Sequence, residues 1–340
     1  MIVRSHRQSS CHLLVTHHGS IVPAIATKIF FAAVLGVVAK VINDGYFGEK
    51  VDSGTTFSFS PFTALGVAIS LFLGFHNNAS YARWWEARQL WGTQIIAVRN
   101  LIRFLLGSLG STGITVHDTS KTGDEDCDVE AGRSTNDESF ANDWREKIIL
   151  LAMAHTHAVR AQLRPVCLSD TPRTALEDRD RFLDASDRLI VCSAPNPANA
   201  ILFHASKILG QSDLTEYSRI HASTLIDRLC EIQASLERLH NTSLPLAYSL
   251  LVHRTAFFFV VLAPFAMASS MGWWTPLFSA ILAYTFFGLD ELARHIQEPF
   301  RDEPHCLAMS AMCRAVEIDV CHGLRRDIPP PLKPINFVLM

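Results

Sequence analysis

The stretch from Phe59 to Arg103 constrains the fold of this chain more than any other part of the sequence. Its first part, Phe59–Phe75, is apolar and about as long as a helix needs to be to cross a bilayer. Its second part is polar, yet apolar residues such as Trp84, Trp91 and Val98 keep a helical spacing without a proline. The pattern predicts one continuous helix that leaves the bilayer and enters a soluble helical region. A membrane anchor does not need such a helix, whereas a pore-lining helix does.

The composition agrees with a membrane protein that carries a large water-exposed part. The chain has 340 residues, of which 49% are hydrophobic, and a formal net charge of −3. Its arginines are dispersed rather than clustered, so we expect no nucleic-acid partner. The eight cysteines form no CxxC pair, and most lie in segments predicted to be cytosolic, so structural disulfides are not expected.

Four apolar segments are predicted to cross the membrane, namely Ile21–Ile42, Phe59–Phe75, Thr255–Met271 and Leu277–Leu289. The loop Asn43–Ser58 is acidic, and arginines follow the second segment, so both termini are expected in the cytoplasm. A plasma or inner membrane is expected rather than that of an organelle. A signal peptide is the competing interpretation of the first segment, but no small-x-small cleavage site follows it. Lys28 is costly at mid-bilayer and is expected near the interface or against protein.

The same features divide the chain into six predicted regions. Most of the chain is expected to be helical, and residues 107–143 hold nine acidic against two basic residues and no apolar period, which predicts a disordered loop. The regions are a cytosolic lead-in (1–20), two membrane helices with a cytosolic extension (21–106), the acidic loop (107–143), a cytosolic helical region (144–253), two further membrane helices with an extension (254–300), and a cytosolic C-terminal helix with an extended Pro-rich tail (301–340).

Three ordered blocks resemble the bestrophin family, most closely its bacterial and fungal branch. The blocks cover about half of the chain in the family's order, which makes the set far more specific than any one tripeptide. They comprise Leu73-Gly74-Phe75, Asn77-Asn78-Ala79, Arg83–Arg88 and Leu90-Trp91-Gly92; then Pro245–Tyr248 and His253–Thr255; then Gly272–Pro276, Tyr284–Asp290, Pro299-Phe300 and Cys313–Ile318.

The resemblance implies an all-α membrane protein with four transmembrane helices that continue into a cytosolic helical bundle. It also implies a homopentamer in a lipid bilayer with one axial pore that conducts chloride or other monovalent ions. Carried over by position, the three hydrophobic rings of the pore neck are Val67, Leu71 and Phe75. Rings of apolar side chains control permeation because a narrow apolar pore empties of water. Spacing alone favours a stripe that faces lipid or the protein core, and only the resemblance to the family favours a pore neck.

Further residues around this neck carry weaker expectations. Asn77, Asn78 and Ser80 follow directly and can solvate ions of either sign, so they do not fix selectivity. A second, cytosolic constriction is implied by the family and is placed at Ile226 in a predicted helix over 223–239. Three interpretations stay open: an anion channel, a monovalent-cation channel in which Leu71 decides selectivity, and a non-conducting scaffold or accessory subunit.

No pattern in the sequence predicts an enzyme, a cofactor or a metal site. The chain lacks Walker, GxSxG, HExxH and dinucleotide motifs. His155 and His157 are spaced so that they point to different faces of a helix, and Glu291 with His295 lacks further ligands. The segment 301–305 has only two acidic residues, and Arg301 and Pro304 flank them, so no calcium gating is expected. Arg83, Glu86 and Arg88 are expected to form structural ion pairs.

Overall fold

The computed structural model describes residues 20–47, 60–108, 144–164 and 171–334. Every regular element in this part of the chain is helical. The helices are α1 (Val22–Ile42), α2 (Ser60–Arg103), α3 (Trp144–Leu163), α4 (Thr171–Asp180), α5 (Ala185–Ser193), α6 (Pro197–Gly210), α7 (Glu216–Asn241), α8 (Leu246–Met271), α9 (Thr275–Gln297) and α10 (Met309–Gly323). Residues 1–19, most of the acidic segment (109–143) and residues 335–340 lie outside the described residues.

The chain divides into two units. The first unit comprises Met1–Arg88, Arg238–Ala308 and Lys333–Met340. The second unit comprises Gln89–Glu237 and Met309–Leu332. The predicted boundaries differ from these because α2 and α7 each belong partly to both units, and a boundary inside a helix leaves no Gly- or Pro-rich signal in the sequence.

In the first unit, α1, α8 and α9 pack against one another around a cluster of buried apolar side chains. The core includes Ile25, Leu73, Ala256, Phe259 and Phe286. Helices α1 and α9 approach closely, since a Cβ added to Gly36 would lie 2.6 Å from the Cα of Pro276. Small residues at such crossings let helix backbones meet closely, which is typical of helix packing in membranes.

The outside of the first unit is apolar as well. Within the described residues, two stretches are long and apolar enough to cross a membrane, Val22–Gly45 and Leu246–Gln297. The second stretch holds both α8 and α9, so it covers the predicted third and fourth segments. The apolar start of α2, which is the predicted second segment, lies in neither stretch, so a four-span topology stays a prediction.

Arg83 ties three chain segments of the first unit together. Its guanidinium donates hydrogen bonds to the backbone oxygens of Leu239 (2.8 Å), Gln297 (3.2 Å) and Thr242. These carbonyls lie at the ends of α7 and α9, where helix C-termini leave oxygens without partners and favour a positive charge. The expected pair between Arg83 and Glu86 is replaced by this capping, and Glu86 pairs with Arg238 at 3.1 Å.

The second unit is built around α3, which is buried on almost every side between Ile148 and Arg160. Helices α4, α6 and α10 pack against it. Its predicted extent, Trp144–Leu163, is confirmed. The predicted amphipathic helix over 223–239 is part of the longer α7, whose additional first turns carry exposed side chains.

Candidate pore-lining face

The three predicted neck residues share one exposed stripe of α2. Val67, Leu71 and Phe75 are 58%, 59% and 64% exposed, although each is a large apolar side chain. A helix turns by about 100° per residue, so positions four apart lie almost above one another. No other part of the described chain covers this stripe, so it is open to lipid, to another protein copy or to the lumen of a pore.

The opposite side of α2 packs into the first unit. Ile69 and Leu73 are buried in its apolar core. A Cβ added to Gly66 would lie 2.9 Å from the ring of Phe259, so this glycine sits at a close helix crossing. Gly74 has no neighbour within 4 Å of such a Cβ and lies in the open, beside the exposed stripe. One helix therefore presents apolar residues on two sides, and only one of these sides packs against the rest of the described chain.

The predicted polar residues below the neck are separated by the helix turn. Asn78 is exposed and continues the stripe of Val67, Leu71 and Phe75. The Asn77 amide is half-buried and donates a hydrogen bond to the carbonyl oxygen of Leu73 at 2.9 Å. Ser80 is fully buried on the opposite side. The sequence places the three residues together, but the helical period leaves only Asn78 on the exposed stripe.

Ile226 is only 3% exposed and packs within its own protomer. A constriction residue must be accessible in the single chain, because its side chain has to reach a lumen. The structure therefore gives no support for Ile226 at a second constriction. The family resemblance suggested this residue, but the apolar period of α7 marks the core-facing side of the helix.

The two buried histidines of α3 have separate environments. Nε2 of His155 lies 3.0 Å from Oε1 of Gln233, and its Nδ1 lies 3.3 Å from Nε2 of Gln94. Burial lowers the pKa of His155 to about 4, against a smaller opposing effect of the Gln233 hydrogen bond. The ring of His157 stacks on Phe182 at 5.6 Å. Burial, with nearby arginines, lowers the pKa of His157 to about 3. Both rings are therefore neutral at pH 7.

A charged cluster lies at the end of α9. The Glu291 carboxylate accepts a hydrogen bond from Arg294 and lies 3.4 Å from Nε2 of His295. Nδ1 of His295 contacts Glu303, which also lies 3.6 Å from Arg301. The carboxylates therefore already have cationic or histidine partners. Among the described residues, no group of three or more His, Cys, Asp or Glu side chains is placed to hold a metal ion.

Comparison with known proteins identifies the family. The model of the Bacterial/Fungal Bestrophin protein family matches residues 1–322. The chain belongs to the bestrophin family. The resemblance seen in the sequence blocks is thereby confirmed over nearly the whole chain.

Similar proteins and structures agree with this assignment. A voltage-dependent anion channel-forming protein of Mesorhizobium japonicum is 34% identical, and the match covers 98% of this chain and 95% of the relative. The voltage-dependent anion channel-forming protein YneE of Escherichia coli K12 is 32% identical, with 98% of both chains covered. The crystal structure of a bestrophin homologue from Klebsiella pneumoniae superposes with a TM-score of 0.73 at 27% identity, covering 89% of this chain and 99% of that one. Together with the two apolar stretches, these similarities identify a membrane protein.

Sequence reasoning missed two features of the first unit that depend on distant contacts. The capping role of Arg83 needs carbonyls at residues 239, 242 and 297. The proximity of Lys28 to Glu291, 3.9 Å apart, joins α1 to α9. In the sequence, the only indication of the contact between Lys28 and Glu291 was the energetic cost of a lysine inside an apolar segment.

Proposed function

We propose that this bestrophin is a passive channel for chloride and other small monovalent anions, with a neck formed by Val67, Leu71 and Phe75. The observation that carries the proposal is the exposed apolar stripe of α2, which ends in the exposed amide of Asn78. Relatives named as anion channel-forming proteins support the anion as the permeating ion.

In the proposed assembly, five copies of α2 surround one axis and each neck residue contributes to a ring. Ala64, Ala68 and Gly74 are exposed beside the stripe, and such small residues favour close contact between helices of neighbouring copies. The rings exclude water when the neck is narrow, so an ion that would lose its hydration shell does not pass. Widening a ring lowers this barrier.

Selectivity in this proposal depends on groups that solvate the ion beside the neck. Asn78 offers both amide hydrogens, which favour an anion, and an amide oxygen, which favours a cation. The amide alone does not decide between them. In the proposed topology, α1, the start of α2, α8 and α9 span the bilayer and both termini are cytoplasmic.

The test is the reversal potential of the purified protein in planar bilayers under a KCl gradient. We expect reversal near the chloride equilibrium potential for the wild type. Leu71→Ala and Phe75→Ala are expected to raise single-channel conductance, because each widens one ring. Phe72→Ala is the matched control, since Phe72 is exposed and large but lies about 100° away from the stripe.

The other outcomes would indicate a different permeating ion, a different pore-lining side of α2 or a non-conducting protein. Reversal near the potassium potential would keep the pore and replace the anion by a cation. An equal effect of Phe72→Ala would place the lumen elsewhere on α2. An absence of current from wild type and widened variants, in a preparation shown by mass to be pentameric, would favour the scaffold.

A further inference from the structure

A cavity of about 250 Å³ lies on the first unit between α1, α8 and α9. Its wall is apolar and includes Phe31, Leu35, Val261 and Phe287. On α1 it extends from Thr27 to Leu35, which corresponds to about 12 Å along the helix axis. One leaflet contributes about half of a hydrocarbon core of roughly 30 Å, so this length fits most of one acyl chain.

A lysine lies at the end of this cavity that is nearest to the N-terminus of α1. Lys28 belongs to its lining, and the Lys28 ammonium lies 5.3 Å from the centre of the Phe287 ring. Phe287 also lies 6.4 Å from the ring of Phe257 on α8. Lys28 of α1 and Phe257 of α8 therefore lie at the same level. An ammonium at the edge of an apolar cavity favours a ligand with an acyl chain and an anionic group.

Arg254 adds a second cation at the same end. It precedes Phe257 by one turn and Val261 by two, so it lies on the side of α8 that lines the cavity. Arg254 is exposed, and no ion pair is formed by it within the described part of the chain. Because arginine stays charged at all relevant pH values, a second positive charge lies just outside the apolar wall.

Two nearby carboxylates, Glu291 and Asp290, neutralise these cations only in part. Glu291 is hydrogen-bonded by Arg294, and Lys28 reaches it only at 3.9 Å. Asp290 is held by Nδ1 of His253 at 2.6 Å. One carboxylate is thus shared by Lys28 and Arg294, while Arg254 has none. The mouth of the cavity carries excess positive charge, which complements the phosphate of a lipid headgroup.

We propose that this cavity binds one acyl chain of an anionic phospholipid whose phosphate is contacted by Lys28 and Arg254. The zwitterionic lipids of the same bilayer offer the same chain but no net charge, so they bind more weakly. The proposal requires only that α1, α8 and α9 lie in the membrane. It is independent of which residues line the pore.

The test counts lipids on the purified full-length protein by native mass spectrometry during titration with phosphatidylglycerol and, separately, phosphatidylcholine of the same chains. We expect tighter binding of phosphatidylglycerol. Lys28→Gln and Arg254→Gln are each expected to weaken it about fivefold, since one basic residue near a charged lipid contributes about that factor. Lys40→Gln is the control, because Lys40 lies at the other end of α1 and pairs with Asp44 at 2.5 Å.

A filling variant separates the cavity from general charge effects. Val261→Phe adds volume to the wall without altering charge, and it is expected to weaken binding of both lipids. Equal affinity for the two lipids, or an equal effect of Lys40→Gln, would overturn the proposal. The proposal would also be wrong if the Val261→Phe variant bound both lipids as tightly as the wild type. It would likewise be wrong if no lipid bound and a second copy of the chain covered the cavity. Inorganic phosphate at millimolar concentration is not expected to compete, since it lacks the chain.

Discussion

The two units of this protein differ in the side chains that they expose and in the polar groups that they bury. The first unit has an apolar core and an apolar outside, with exposed side chains such as Phe30 and Phe31. The second unit buries hydrogen-bonded polar side chains, including Gln94 and His155, within its interior. Helices of similar length therefore fold against two different solvents. Apolar burial cannot hold the first unit together in lipid, so close packing of small residues must contribute there.

The largest expected effect tests directly whether the first unit faces lipid and the second unit faces water. Phe30 and Phe203 are matched exposed aromatic residues, 71% exposed in the first unit and 74% exposed in the second. Phe30→Lys is expected to lower the membrane yield, because a lysine near the middle of a lipid-exposed helix costs about 2.5–3.5 kcal/mol. Phe203→Lys is expected to change yield and melting temperature little, since it meets water. Similar losses for both variants would remove the distinction between the two units.

A second comparison tests close packing at glycines. Gly36→Ala is expected to destabilise the first unit by about 1–3 kcal/mol, because the new methyl group meets the backbone of Pro276. In the second unit, a Cβ at Gly323 meets side-chain methyl groups of Leu106 and Ile102, at 3.1 and 3.2 Å, rather than the backbone of another helix. Gly323→Ala is therefore expected to cost less. Thermal melting of both variants in one detergent checks this order, and an equal loss would contradict it.

The buried histidines give the second unit a pH dependence. His155 and His157 have folded-state pKa values of about 4 and about 3, below the ordinary 6.5. As the pH falls below about 6.5, the two histidines are protonated in the unfolded chain before they are protonated in the folded one. The folded state therefore loses stability progressively, until the pH reaches the folded-state pKa values of about 4 and about 3. Stability from these groups is fully present above pH 6.5.

This pH dependence is measured as the melting temperature between pH 7.5 and 4.5. His155→Asn is expected to flatten the decline and to cost about 1 kcal/mol at pH 7.5, since it weakens the bonds to Gln233 and Gln94. His322→Asn is the control at an exposed histidine. A decline that is unchanged in His155→Asn would assign the pH dependence to other groups.

The smallest expected effect concerns a surface ion pair of the second unit. Arg99 and Asp319 lie 2.7 Å apart and both are partly exposed. Arg99→Gln is expected to cost at most about 1 kcal/mol, and less at high salt, because water and ions screen such pairs. Chemical unfolding at low and high salt measures this. A large, salt-independent loss would show that Arg99 acts by packing rather than by charge.

Most helices were predictable because their periods are local properties. The extent of α3 and the turn between α8 and α9 follow from apolar spacing and from Pro and Gly punctuation, whereas α8 begins at Leu246, well before the predicted third segment. The stripe of Val67, Leu71 and Phe75 follows from spacing in the same way. Its role in a neck rests on the family resemblance and stays a proposal, because spacing cannot distinguish lipid from lumen.

The sequence by itself determined the family, the helical class and the two-sided apolar character of α2. The tertiary structure decided which side is used within the protomer, placing Leu73 and Ser80 inside and Leu71 and Asn78 outside. It also decided that Ile226 is a core residue and that Arg83 caps helix ends rather than pairing with Glu86. The physical reason is the same in each case. A helical period defines faces, but only contacts between residues far apart in the chain determine what each face meets.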